Sequence, residues 1–107
     1  MSSALGWWSR WWQRARAAPR TPIELVLYTR AGCGACERLE RELAPLRARW
    51  NLVLHKRDIG GDAQLERRYG LRIPVLAVAG RELEGQPPSA RDIERALECA
   101  ARAGAQP

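Results

Sequence analysis

The chain has 107 residues, of which 46% are hydrophobic and 28% charged, and it carries a formal net charge of +6. That length favours one domain with a small core, and three cysteines are too few, and odd in number, for a disulfide scaffold. No apolar run is long enough to cross a bilayer, and no basic stripe interleaved with aromatics demands nucleic acid.

Residues 1–22 read as a separate tail. Arg10, Arg14, Arg16 and Arg20 stand there without any acid, so four of the six net positive charges belong to the tail and the rest of the chain is only mildly basic. Trp7, Trp8, Trp11 and Trp12 recur at helical spacing, sharing a side with Ala4, Leu5 and Ala15 and opposing the arginines. Such an amphipathic segment suits a membrane surface with anionic lipid or a partner protein; the alternatives are a frayed tail or a helix lying on the domain's own apolar surface. Arg10 and Arg14 interrupt any secretory apolar region, so the expected location is the cytoplasm, with residues 1–20 as a contact to the inner membrane surface.

The domain is expected over residues 23–103. Ile23–Thr29 is nearly all apolar and rich in β-formers, as a buried strand should be. Over residues 34–49 the positions Ala35, Leu39, Leu43 and Leu46 form a helical stripe, with Pro45 expected to kink or end the helix near Leu43. A second strand is predicted at Asn51–Ile59, broken by Gly60 and Gly61. Asp62 then caps a short helix, Ala63–Tyr69, that Gly70 stops. Ile73–Ala79 reads as a third strand, turning at Ala79–Gly80–Arg81 into an antiparallel fourth at Glu82–Glu84. After Pro87 and Pro88, Ser89 with Asp92 three residues on opens a helix from Ala90 to about Arg102, ended by Gly104, with Ile93, Ala96, Leu97 and Ala100 inward. Cys99 is expected as a small buried hydrophobe beside that stripe. His55 is expected on the surface, and Asp58 with Asp62 as a turn and capping pair.

The order β-α-β-α-β-β-α predicts an α/β fold: a mixed four-stranded sheet with helices on both faces, whose first β-α-β is a crossover between parallel strands.

Cys33 and Cys36 fall where the first strand gives way to the first helix. They are a redox pair, half of a metal site, or two buried small residues. A sulfur just before the helix meets its unsatisfied N–H groups and the positive end of its dipole, so a thiolate is favoured there. Arg30 and Arg38 stand nearby in sequence and add positive charge. The thiolate is the species that attacks disulfides, and a second thiol three residues on is placed to attack the resulting mixed disulfide. Gly34 and Ala35 are small enough to let a partner sulfur approach. A Cys-x-x-Cys pair that ends a strand and opens a helix inside a βαβ unit reads as a redox motif of the thioredoxin type. A zinc site needs four ligands, and the further candidates, Cys99 and His55, are not spaced as a ligand pair.

The run Leu27–Cys36 (LYTRAGCGAC) resembles the start of a glutaredoxin, closest to the small bacterial glutaredoxin-like proteins of the thioredoxin superfamily. Tyr69–Leu76 (YGLRIPVL) is a second match. The resemblance implies that Cys33 is the nucleophile and Cys36 the resolving thiol. It further implies a cis Pro74 facing them and an Ile73 backbone that pairs with an extended peptide or glutathione, an arrangement a proline permits at low cost. Arg30, three residues before Cys33, and Arg72 beside the proline loop correspond to contacts for a glutathione carboxylate. The segment departs from glutaredoxins in having Gly-Ala between the cysteines, only Gly85 where a Gly-Gly turn is usual, and Asp92 displaced into a helix. Gly32 stands where thioredoxins carry Trp. These differences weaken the glutathione signature.

The sequence therefore predicts a monomeric thiol–disulfide oxidoreductase that needs no cofactor, with Cys33 and Cys36 catalytic. Arg30, Gly34, Ala35, Arg72, Ile73 and Pro74 are the expected substrate-binding residues, and no residue is assigned to a metal. Its partner would be a disulfide-containing protein or glutathione, the latter as a co-substrate, and not nucleic acid. The alternative is a module that binds glutathione or an iron–sulfur cluster without reductase activity.

Overall fold

The computed structural model describes residues 21–85 and 87–105, so the Trp/Arg segment over residues 1–20 lies outside the described residues. The elements are β1 (Ile23–Thr29), α1 (Gly34–Arg49), β2 (Leu52–Asp58), α2 (Ala63–Tyr69), β3 (Val75–Val78), β4 (Arg81–Glu82) and α3 (Ala90–Ala105). They build one mixed sheet in the order β2-β1-β3-β4. β1 and β2 are parallel, joined by α1, while β3 runs antiparallel to both β1 and β4.

Alternation along β1 divides the core. Ile23, Leu25 and Leu27 are buried on one face with Leu76 and Val78 of β3, and there they meet Leu39, Leu43 and Leu46 of α1 and Ile93 and Leu97 of α3. Tyr28 and Val75, opposite each other in the ladder, face the other way and pack with Ile59, Leu65, Tyr69 and Ile73 around α2. Helices thus cover both faces, with two on one side and the short α2 on the other. At roughly 25 cal/mol per Å² the leucine-rich face supplies most of the burial, because all of its large side chains named here are at most 9% exposed.

Caps set the helix ends. The Asp62 carboxylate accepts from the N–H groups of Gln64 and Leu65 (both 3.1 Å), and Ser89 Oγ accepts from Asp92 N–H (3.1 Å). Asp58 accepts from Gly60 N–H at 2.8 Å in the preceding turn. The hairpin between β3 and β4 turns on two residues with positive φ, Ala79 (50°) and Gly80 (84°), the geometry a two-residue hairpin loop requires.

Five expectations need correction. α1 does not end near Leu43 but continues through Pro45 to Arg49, because Leu46 is held in the core while Ala44 and Pro45 sit on the solvent side. The stripe of α1 starts at Cys36, not Ala35; Cys36 is buried and Ala35 exposed. α3 continues past Arg102 to Ala105. Cys99 is exposed, since two residues beyond Leu97 it stands about 200° around the helix from the inward stripe. The third and fourth strands are Val75–Val78 and Arg81–Glu82, where the sequence predicts Ile73–Ala79 and Glu82–Glu84.

Candidate functional site

The buried strand β1 delivers the chain to a tight turn in which Cys33 N–H donates to the Arg30 carbonyl at 3.2 Å. Gly32 takes φ +81° at the third position, a left-handed conformation that glycine adopts without a side-chain penalty. Cys33 is the N-cap of α1, in an extended conformation (φ −84°, ψ 102°). Its carbonyl accepts from Glu37 N–H at 3.1 Å, and its Sγ accepts from the N–H of Cys36 at 3.1 Å. A sulfur thus occupies the place of a capping oxygen, at the positive end of a sixteen-residue helix.

Cys33 and Cys36 are joined in a disulfide, with their Cα atoms 5.3 Å apart. The two sulfurs differ in surroundings. Cys33 is half-buried, whereas Cys36 is 2% exposed and leads the inward stripe of α1. An incoming group therefore reaches Cys33 first. Gly34 and Ala35, between them, are both exposed, and Arg38 is exposed on the next turn. Among the described residues no polar or charged side chain is buried, so no interior acid stands behind Cys36. No group of three His, Cys, Asp or Glu among the described residues is placed to hold a metal ion.

The Ile73–Pro74 peptide bond is cis, and Pro74 is buried. Since Tyr28 pairs with Val75, the antiparallel register puts Pro74 and Ile73 opposite Thr29 and Arg30, at the end of the sheet from which Cys33 emerges. A Cβ placed on Gly70 would meet an Arg30 Nη at 3.4 Å and collide with the Glu66 carbonyl, so this loop packs against the approach to Cys33. Ile73 N–H donates to the Tyr69 carbonyl at 3.0 Å, as does Arg72 N–H at 2.8 Å.

The two candidate anion-binding arginines have acidic partners. Arg30 pairs with Glu66 of α2 at 3.0 Å, and Arg72 pairs with Glu82 of β4 at 3.3 Å. Sequence reasoning missed the network to which Glu82 belongs. Its carboxylate accepts from the Tyr69 hydroxyl at 2.6 Å and from Arg68 at 3.3 Å, and Tyr69 stacks on Tyr28 with ring centroids 4.0 Å apart. The Tyr69 hydrogen bond, opposed by burial and assisted by Arg72 and Arg68, holds the Glu82 carboxyl below its ordinary 4.5. Burial, then the Glu82 hydrogen bond, pushes the Tyr69 phenol well above its ordinary 10.0. The outward alternation of Tyr28 and the Tyr just before Gly70 were the available signals; the carboxylate partner from β4 had none.

A mixed four-stranded sheet in β-α-β-α-β-β-α order, with a Cys-x-x-Cys disulfide capping its first helix, defines a thioredoxin-like protein. The glutaredoxin-like domain (DUF836) model matches residues 24–98, and the chain belongs to that glutaredoxin-like family. Among solved structures, the chain is similar to a Nitrosomonas europaea protein determined in solution (32% identity, TM-score 0.63, covering 72% of this chain and 93% of that one). It is also similar to an X. campestris protein determined by X-ray diffraction (38% identity, TM-score 0.59, 70% and 96% covered). A mutant thioredoxin from Halobacterium salinarum shares the fold at 21% identity (TM-score 0.54, 78% and 93% covered). No curated protein matches the chain. Among the described residues no helix is long and apolar enough to cross a membrane.

Proposed function

We propose that the protein is a thiol–disulfide oxidoreductase that reduces disulfides with the Cys33–Cys36 dithiol. The observation that carries this reading is the Cys36 N–H bond to Cys33 Sγ at the start of α1, with a bonded second sulfur three residues away. In the reduced protein the same amide and the helix dipole favour a Cys33 thiolate.

That thiolate attacks one sulfur of a target disulfide, forming a mixed disulfide and expelling the other target sulfur as a thiolate. The expelled thiolate takes the Cys36 proton, directly or through water. The Cys36 thiolate then attacks Cys33 Sγ, closes the Cys33–Cys36 disulfide and releases the first target sulfur as a thiolate. Two electrons pass from the dithiol to the target. The chemistry needs no cofactor; an external dithiol or two monothiols return the two electrons by the reverse exchange, and glutathione is a candidate co-substrate. The Ile73 carbonyl beside Pro74 supports an extended substrate next to Cys33. The reading takes the protein to act as a monomer, with residues 1–20 as a contact to a membrane surface or another protein.

Cys33→Ser is expected to abolish reduction of a small disulfide. Cys36→Ser is expected to leave the substrate covalently attached to Cys33, visible by mass spectrometry without reductant. Full activity in Cys33→Ser would overturn the assignment, and an iron–sulfur chromophore after anaerobic purification would favour the cluster-binding alternative.

A further inference from the structure

A groove of about 700 Å³ lies between β4 and α3. Val78 and Leu83 line it from the sheet, and Ala96, Cys99, Ala100 and Ala103 line it from one stripe of α3. Leu83, Ala96 and Ala100 are only half-buried, and Cys99 and Ala103 are exposed. Small side chains on the helix thus leave an open, largely apolar hollow. Its lining runs along α3 from Asp92 to Ala103, which is about 16 Å of helix.

The tail joins the domain beside this groove. Ala79, which also lines it, donates its N–H to the Glu24 carbonyl at 2.8 Å, and Ile23 and Glu24 open β1. Residues 1–20 therefore depart next to the groove, at the opposite end of the sheet from Cys33. The spacing of Trp7, Trp8, Trp11 and Trp12 predicts a helix, and its apolar side from Ala4 to Ala15 is about 16 Å long, the length of the α3 stripe. The link over residues 16–22 spans up to about 25 Å, enough to lay that segment back along α3. Charge agrees with this placement. The rim carries Glu82, Glu84 and Asp92 against Arg81 and Arg95, and among the described residues no cation pairs with Glu84 or Asp92. The tail carries four arginines and no acid.

Beyond the oxidoreductase reading, we propose that residues 1–20 dock on their own domain, with the tryptophan side laid in the groove between β4 and α3 and the arginines reaching back to Glu84 and Asp92 at its rim. Docking takes apolar surface out of water on both sides and leaves the cysteine pair clear. It is also the seat from which a membrane surface or another protein has to draw the tail.

The test uses the full oxidised chain, in which Cys99 is the one free thiol. Trp50→Phe leaves the four tail tryptophans as the only ones in the chain. Acrylamide is expected to quench their fluorescence roughly threefold less than it quenches a synthetic peptide of residues 1–22, because seated rings are out of water. Adding Cys99→Arg, a bulky cation at an exposed groove position, is expected to return the quenching to the peptide's value. The other side of the contact is read from Cys99 itself. Trp7→Ser, Trp8→Ser, Trp11→Ser and Trp12→Ser, made together in the wild-type chain, are expected to speed alkylation of Cys99 by iodoacetamide roughly twofold or more, since a tail that comes and goes slows the reaction without preventing it. Both proteins still end at one adduct. Quenching equal to the peptide's, quenching unmoved by Cys99→Arg, or an alkylation rate unmoved by the four serines would overturn the proposal. So would protection that grows with protein concentration, which would give the groove to the tail of a second copy.

Discussion

The Tyr69 hydroxyl donates to Glu82 Oε2 at 2.6 Å, joining the end of α2 to the edge strand β4. Because the Tyr69 carbonyl also accepts from Arg72 and Ile73, this one residue ties the proline loop to the sheet through its backbone and its ring. Tyr69→Phe removes a hydrogen bond to a charged acceptor while keeping the stack on Tyr28. A loss of about 1–2 kcal/mol is expected in urea unfolding at neutral pH. The same variant should show a Glu82 carboxyl that titrates nearer its ordinary value, since the Tyr69 bond is the largest cause of its lowering.

Glu82 makes the fold sensitive to acid. Its folded carboxyl titrates below the unfolded value of 4.5, so its contribution is present above that value and is lost as pH falls through the lower folded value. Glu82→Gln is expected to be less stable than the wild type at neutral pH, and the gap should narrow as the solution is acidified. Urea midpoints measured at neutral pH and well below 4.5 check this; a gap of constant size would count against it.

Pro45 costs the first helix one hydrogen bond. Replacing it with Ala restores an N–H for the Arg41 carbonyl at an exposed position with no packing to lose. Pro45→Ala should stabilise the protein by about 1–3 kcal/mol, read from thermal or urea unfolding.

In the reduced protein, Cys33 should titrate below the free thiol value of about 8.5, because the Cys36 amide and the helix N-terminus favour its ionised form. The double variant Cys36→Ser, Cys99→Ser leaves Cys33 as the one thiol of the chain, and its thiolate absorbance gives the midpoint. A midpoint at or above the free value would remove the physical basis for Cys33 as nucleophile.

Local patterns carried most of this fold. The apolar run of β1, the Asp62 and Ser89 caps, and the Gly80 turn each act within a few residues, and each appears where those residues predict it. The cysteine pair was legible for the same reason, since strand, turn and helix start are contiguous. What was lost depends on distance in sequence or on which way a side chain faces. The Glu66 and Glu82 partners of Arg30 and Arg72 stand 36 and 10 residues away. Leu71 reads as one more apolar residue until its exposure is known. Pro45 shows a local rule overridden from outside the helix, by the burial of Leu46.

Because Cys99 is exposed and unbonded while the other two cysteines share a bond, the three thiols of the chain are split into one permanent label and one reporting pair. Alkylation of the folded protein followed by intact-mass analysis should give a single adduct when the pair is closed and three adducts when it is open and the protein unfolded for labelling. The chain thus carries its own reference mark, and its electron occupancy can be counted in a mixture without any engineered tag.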